Sequence, residues 1–106
     1  MKKIINGKMY NTETAKEVVT WSNSYNFGDF NYCEETLYKK KTGEYFLYGM
    51  GGALSKYARS CGSNESSGGS EFIPLSENEA KDWMERYADA EDYIAEFGEV
   101  EEQYRE

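Results

Sequence analysis

The side chains with the most legible chemistry in this chain are acids. Asp82, Glu85, Asp89, Asp92, Glu96 and Glu99 recur at alternating three- and four-residue steps. On an α-helix that spacing stacks the carboxylates along one face. Each would sit about 5 Å further along the axis than the last, since a helix rises ~1.5 Å per residue. Nucleic-acid phosphates present charge at a comparable density, so such a row can stand in for them in a groove lined by Lys and Arg. The competing reading is a plain solvated surface, because acidic outer faces are common. Against it stands the shortage of interleaved cations. A helix stabilised by its surface would alternate signs to gain i,i+4 pairs, and only Lys81, Arg86 and Arg105 offset the acids here.

Paired carboxylates also serve glycosidases and two-metal sites. Those arrangements converge into a concave site from several elements, whereas a stripe on one helix diverges into solvent, so a non-enzymatic role is expected. The chain has no histidine, which removes the commonest general base near neutral pH, most zinc sites and every Ser-His or Cys-His pair. No metal or cofactor is expected. Cys33 and Cys61 are the only thiols; far apart and without a CxxC, they suit a reducing cytoplasm better than a disulfide scaffold. Ile4-Ile5 is too short an apolar run for a secretory signal, and no segment approaches a membrane span. A cytoplasmic location in a bacterial host is the expectation, without membrane association.

Tyrosine is the second signal, with ten in 106 residues. Tyr38, Tyr45 and Tyr48 fall along one hairpin, and Tyr25, Tyr32 and Tyr57 in or beside loops. Tyr offers rigid contact area with a polar tip and is favoured at recognition surfaces, so the first three are candidate partner-binding residues beside the six acids. The alternative is cross-strand pairing and core filling. Gly49-x-Gly-Gly-Ala-x-Ser-Lys56 invites a phosphate-loop reading but lacks the GxxxxGK[ST] spacing, and reads better as a glycine-permitted bend. Lys39-Lys40-Lys41 reads as an edge-protecting basic run at a hairpin tip.

The formal charge of −8 is unevenly placed. Residues 1–70 carry nine Lys/Arg and seven Asp/Glu; residues 71–106 carry three and thirteen. Direct DNA binding by the second part is disfavoured by repulsion, and a basic, nucleic-acid-binding protein is the natural complement.

The elements that must position these residues are those of one α+β domain: a small antiparallel β-sheet with a C-terminal amphipathic, acidic α-helix packed on it. Residues 1–58 form its β-rich part. Lys3 to Ile5 and Lys8 to Tyr10 flank Asn6-Gly7, the pair favoured in a type I′ turn. Residues 14–21 are ambiguous: Thr14 and Glu17 match a capping box, while Val18-Val19-Thr20-Trp21 is strand-like. A strand is preferred. Thr36 to Lys39 and Glu44 to Tyr48 surround Lys-Thr-Gly43 as a hairpin. Residues 54–58 read as a short strand or turn, 59–70 as a flexible Gly/Ser loop, and 71–75 as a short strand that Pro74 places at an edge or strand end. Ser76 and Glu79 form a stronger capping box, opening a helix over 76–98 that stops at Gly98 and could break near Ala88. Trp83, Tyr87, Ile94 and Phe97 would pack it on the sheet. An acidic tail, 99–106, follows.

The run Ile5 to Ala15, the hairpin Glu35 to Gly49, then Gly-Gly-Ala53-Leu-Ser-Lys-Tyr57 and Ile73 to Ala80 together resemble short proteins carried on phages and integrative elements of Firmicutes. That setting includes anti-CRISPR inhibitors of the type II RNA-guided DNA nuclease. The resemblance implies a stoichiometric counter-defence protein, acidic and DNA-mimicking, whose partner is a basic nucleic-acid-binding protein such as that nuclease. It supplies no residue-by-residue chemistry. The rival reading is an adaptor of a mobile element that binds a protein through its Tyr-rich sheet. A homodimer seamed by Trp83, Tyr87, Ile94 and Phe97 stays open.

Overall fold

The computed structural model describes residues 1–101. Strands β1 (Lys2–Ile5) and β2 (Lys8–Asn11) form the N-terminal hairpin. Its turn places Asn6 and Gly7 at φ 51° and 78°, the positive values a type I′ turn demands. Four further strands, β3 (Lys16–Ser22), β4 (Cys33–Lys39), β5 (Tyr45–Gly51) and β8 (Gly69–Leu75), make an antiparallel sheet in the order β3-β4-β5-β8. Between β5 and β8, β6 (Arg59–Gly62) and β7 (Glu65–Ser67) form a small hairpin of their own. Helices α1 (Glu77–Tyr87) and α2 (Ala90–Phe97) follow. The fold is α+β, with C-terminal helices on an antiparallel sheet.

Residues 14–21 enter the sheet as β3, and the Thr14–Glu17 capping box is not used. Val19 and Trp21 alternate onto the helix side of the sheet opposite Leu37 and Glu35, with a register shift between Glu17 and Val19. The β4–β5 hairpin turns through Gly43 at φ 93°. Pro74 lies in β8, an edge strand of the four-stranded sheet, where a missing N–H is tolerated. Residues 54–58 are turns rather than a strand.

Three boundaries differ from expectation. Residues 59–70 are not an open loop, since they fold as the β6–β7 hairpin and the start of β8. The strand expected at 71–75 begins at Gly69 because Gly51 continues to pair with it. The helix expected over 76–98 is two helices. The Ser76 capping box forms as read, with the Glu79 N–H donating to Ser76 Oγ at 3.1 Å and the Ser76 N–H to Glu79 Oε1 at 2.8 Å. Ala88 and Asp89 are then both extended, with ψ 163° and 157°. Asp is a poor helix-interior residue and a good N-cap. Here Asp89 occupies the N-cap position of α2 without a side-chain hydrogen bond, its carbonyl accepting from the Tyr93 N–H at 3.1 Å, and the first turn holds Glu91 and Asp92, the charge a helix N-terminus favours. α2 closes at Gly98, φ 93°. Of the tail 99–106, residues 102–106, Arg105 among them, lie outside the described residues.

The core lies between sheet and helices: Leu37, Tyr45 and Leu47 from the strands meet Ala80, Trp83 and Met84 from α1. Tyr87 wedges between Trp21 and Trp83, with ring centroids 4.5 and 5.5 Å away. Phe97 packs inward as expected, but Ile94, also expected to pack on the sheet, is exposed, and Tyr93 turns inward in its place. The opposite face of the sheet is aromatic. Tyr38 stacks on Phe46, Tyr48 meets Phe72 edge-on, and Tyr10 from the N-terminal hairpin caps Phe46 at 5.4 Å. Among the described residues no helix is long and apolar enough to cross a membrane.

Candidate functional site

The six acids of the stripe do not lie in one row. Asp82 faces a shallow groove between α1 and the sheet, shared with Leu75, Trp83 and Arg86. Glu85, three residues on from Asp82 and on the same side of α1, and Asp89, just past the end of that helix, border a cleft of about 500 Å³ between α1 and α2. Asp92 and Glu99 are exposed further on. Glu96 turns inward: its side chain is 7 % exposed, it pairs with Lys39 at 3.2 Å, and it accepts the hydroxyl hydrogen bond of Tyr45. The extended step at Ala88–Asp89 is the cause, because it resets the helical phase and swings Glu96 and Phe97 onto the β4–β5 hairpin. Asp82, Glu85, Asp89, Asp92 and Glu99 remain exposed, and none of them forms an ion pair among the described residues. Glu91 and Glu101, outside the expected stripe, are exposed as well.

The three candidate tyrosines divide between the faces of the sheet. Tyr45 is 5 % exposed and belongs to the core; burial, then the Glu96 hydrogen bond, push its hydroxyl pKa up. It offers nothing to a partner. Tyr38 and Tyr48 lie half-buried on the aromatic face, where Tyr48 reaches Met1. Beside Tyr48, a groove of about 300 Å³ is lined by Phe27, Tyr32, Met50 and the glycines of β5 and β8. Tyr25, Phe27 and Phe30 are exposed on the loop before β4, and the Phe30 carbonyl accepts from the Leu54 N–H at 2.8 Å. Tyr32 hydrogen-bonds Glu34, which with burial pushes its hydroxyl up to about 12.

A constellation not anticipated from the sequence is centred on Glu35, wholly buried in the middle of β4. Trp83 Nε1 of α1 donates to its Oε1 at 2.9 Å. The Tyr57 hydroxyl donates to Oε2, and Lys56 Nζ reaches the same oxygen at 2.6 Å. Burial alone would raise the Glu35 pKa, but the hydrogen bonds from Lys56, Trp83 and Tyr57 outweigh it and hold the carboxyl below its usual range. Burial and the same contact push the Tyr57 hydroxyl well up. Gly49 is a condition of the arrangement, since a Cβ there would lie 2.0 Å from the Tyr57 ring. Both carboxylate oxygens are taken by protein donors, so the cluster works as a strut joining sheet, loop and helix. One signal was available: Glu35 shares the inward parity of Cys33 and Leu37 along β4, and a charge at an inward position demands partners. The Gly49–Lys56 motif thus supplies a bend and one strut residue, Lys56, with Tyr57 directly after it.

Among the described residues no group of three or more Cys, Asp or Glu side chains is placed to hold a metal ion. No protein-family model matches the chain, and neither a curated protein nor a solved structure is detectably similar to it.

Proposed function

We propose that this chain is a non-enzymatic, stoichiometric inhibitor of the anti-CRISPR kind, which binds a basic nucleic-acid-binding surface of a nuclease. Its α1–α2 surface presents carboxylates where phosphates would lie. The observation that carries this reading is the set of exposed acids, Asp82, Glu85, Asp89, Asp92 and Glu99, without an ion pair among the described residues. A charged surface kept without internal partners costs stability through like-charge repulsion, and it speeds encounter with a cationic partner. Glu96 is no part of this surface.

The test is guided DNA cleavage by a type II RNA-guided nuclease with the protein titrated in. Saturation near equimolar protein is expected, weakening as salt rises. The triple variant Asp82→Asn, Asp92→Asn, Glu99→Gln should keep its circular dichroism spectrum and lose inhibition. A folded triple variant that inhibits as well as the native chain would sink the reading.

A second reading is an adaptor that binds through its aromatic surface. It draws on the exposed Tyr25, Phe27 and Phe30 and on the groove beside Tyr48. It expects partner capture to fail in Phe27→Ser and to survive in the triple acid variant.

A further inference from the structure

The cleft between α1 and α2 is apolar inside and acidic at its edge. Met84 forms its floor, Tyr93, Ile94 and Val100 its walls, and Glu85 and Asp89 stand at the rim. Ile94 and Val100 are 37 % and 61 % exposed although both are aliphatic. A phosphate mimic needs carboxylates alone; an apolar slot beside them has no place in that role and loses free energy to water while it stands empty.

Resting on the reading of this surface as a ligand for basic proteins, we infer that the cleft receives a long aliphatic or aromatic side chain of the partner, flanked there by Lys or Arg. The occupant's chemistry follows from complementarity. An apolar side chain fills the slot, and the neighbouring cations meet Glu85 and Asp89 at the rim, where Lys and Arg stems also cover apolar surface. The class recognised is a cationic amphipathic segment of a protein, not a polycation. Charge steers the encounter and the slot sets the register, as buried apolar anchors do at other interfaces.

Two fluorescein-labelled synthetic peptides serve as probes: one of lysine and leucine patterned as an amphipathic helix, and one in which serine replaces every leucine. Fluorescence anisotropy at low salt should show the leucine peptide binding about tenfold tighter or more, the gain expected from burying one apolar side chain. Methyl signals of Met84, Ile94 and Val100 should shift with that peptide only. Ile94→Ser, at an exposed position, should erase the preference while leaving the serine peptide's affinity unchanged. Glu85→Gln with Asp89→Asn should weaken both peptides.

Equal affinity of the two peptides, with unmoved methyls, would overturn the cleft assignment and leave the acidic-surface reading standing. Failure of both peptides to bind would overturn both. Sedimentation showing a dimer that Ile94→Ser dissociates would give the cleft to a second copy and overturn the assignment. So would Ile94 and Val100 methyl shifts, without peptide, in a chain shortened to residues 1–101, because the chain would then fill its own slot.

Discussion

Glu35 and the outer acids of α1 and α2 are the same functional group put to opposite uses. Glu35 has no solvent exposure and three donors from two other regions of the chain. Asp82, Glu85, Asp89, Asp92 and Glu99 stand in water without an ion pair among the described residues. The buried acid was placed by strand parity, the outer ones by helix phase. A buried carboxylate is tolerated only when its charge is matched, so it can specify which loop and which helix pack on the sheet. An exposed carboxylate specifies nothing internal; under the proposed function it is left to face a partner. Glu96 lies between the two cases, drawn inward by a break in the helix and held by Tyr45 and Lys39.

The sharpest way to break this comparison is Glu35→Gln. It keeps the shape, removes the charge that Lys56, Tyr57 and Trp83 address, and points an amide donor at groups that donate. A loss of about 2–4 kcal/mol in chemical denaturation is expected. The native chain should also be acid-sensitive in a way the variant is not. The folded-state pKa of Glu35 is lowered from 4.5, so its contribution is full above that value and is lost as pH falls through the lower folded value. Glu44, held down to about 2 first by Lys8 and then by Lys40, gives up its share as pH falls through that value. A variant with native stability and a native acid transition would show that the strut carries nothing.

Gly49→Ala should rank next. Its methyl collides with the Tyr57 ring, and relief requires moving a side chain tied to Glu35; about 1–3 kcal/mol is the usual cost of such overpacking. Thermal melts of Gly49→Ala and of the double variant with Tyr57→Phe should show whether the damage passes through the tyrosine. Glu96→Gln should be milder. It breaks one part-buried ion pair and weakens one hydrogen bond, about 1 kcal/mol, and hydrogen exchange should speed up in α2 while β4 and β5 stay protected. Smallest of all, Asp92→Asn should shift the melting free energy by no more than about 0.5 kcal/mol. A large loss there would place the outer acids with Glu35 and erase the distinction.

What was legible in the sequence was local. Asn6-Gly7, Gly43 and the Ser76–Glu79 capping box act within a few residues, and each turn or cap forms as its residue types require. Pro74 marks its edge strand for the same reason. The paired acids of the stripe were legible as spacing but not as a surface, because a two-residue extended step at Ala88–Asp89 undoes the phase on which the stripe rests. The type of Asp89, with Asp92 three residues on, was the available clue to a second helix start. Tyr45 and Tyr38 were alike as residues in one hairpin, and what separates them is parity: one faces α2 and the other faces away. The Glu35 strut joins residues up to 48 positions apart, and no local pattern announces which tryptophan or lysine will arrive.

No residue of α2 is fully buried. It is held by Tyr93 and Phe97 at the margin of the core, Phe97 with its ring centroid 5.5 Å from that of Tyr45, and by Glu96. A unit so lightly attached opens far more often than the sheet beneath it. In a cell that frequency bears on where proteases cut, so the helix bearing Glu91 and Asp92 would be an early point of cleavage when the chain is alone. A bound partner that pins α2 down would lengthen the life of the whole molecule, and occupancy could be read from survival as well as from activity.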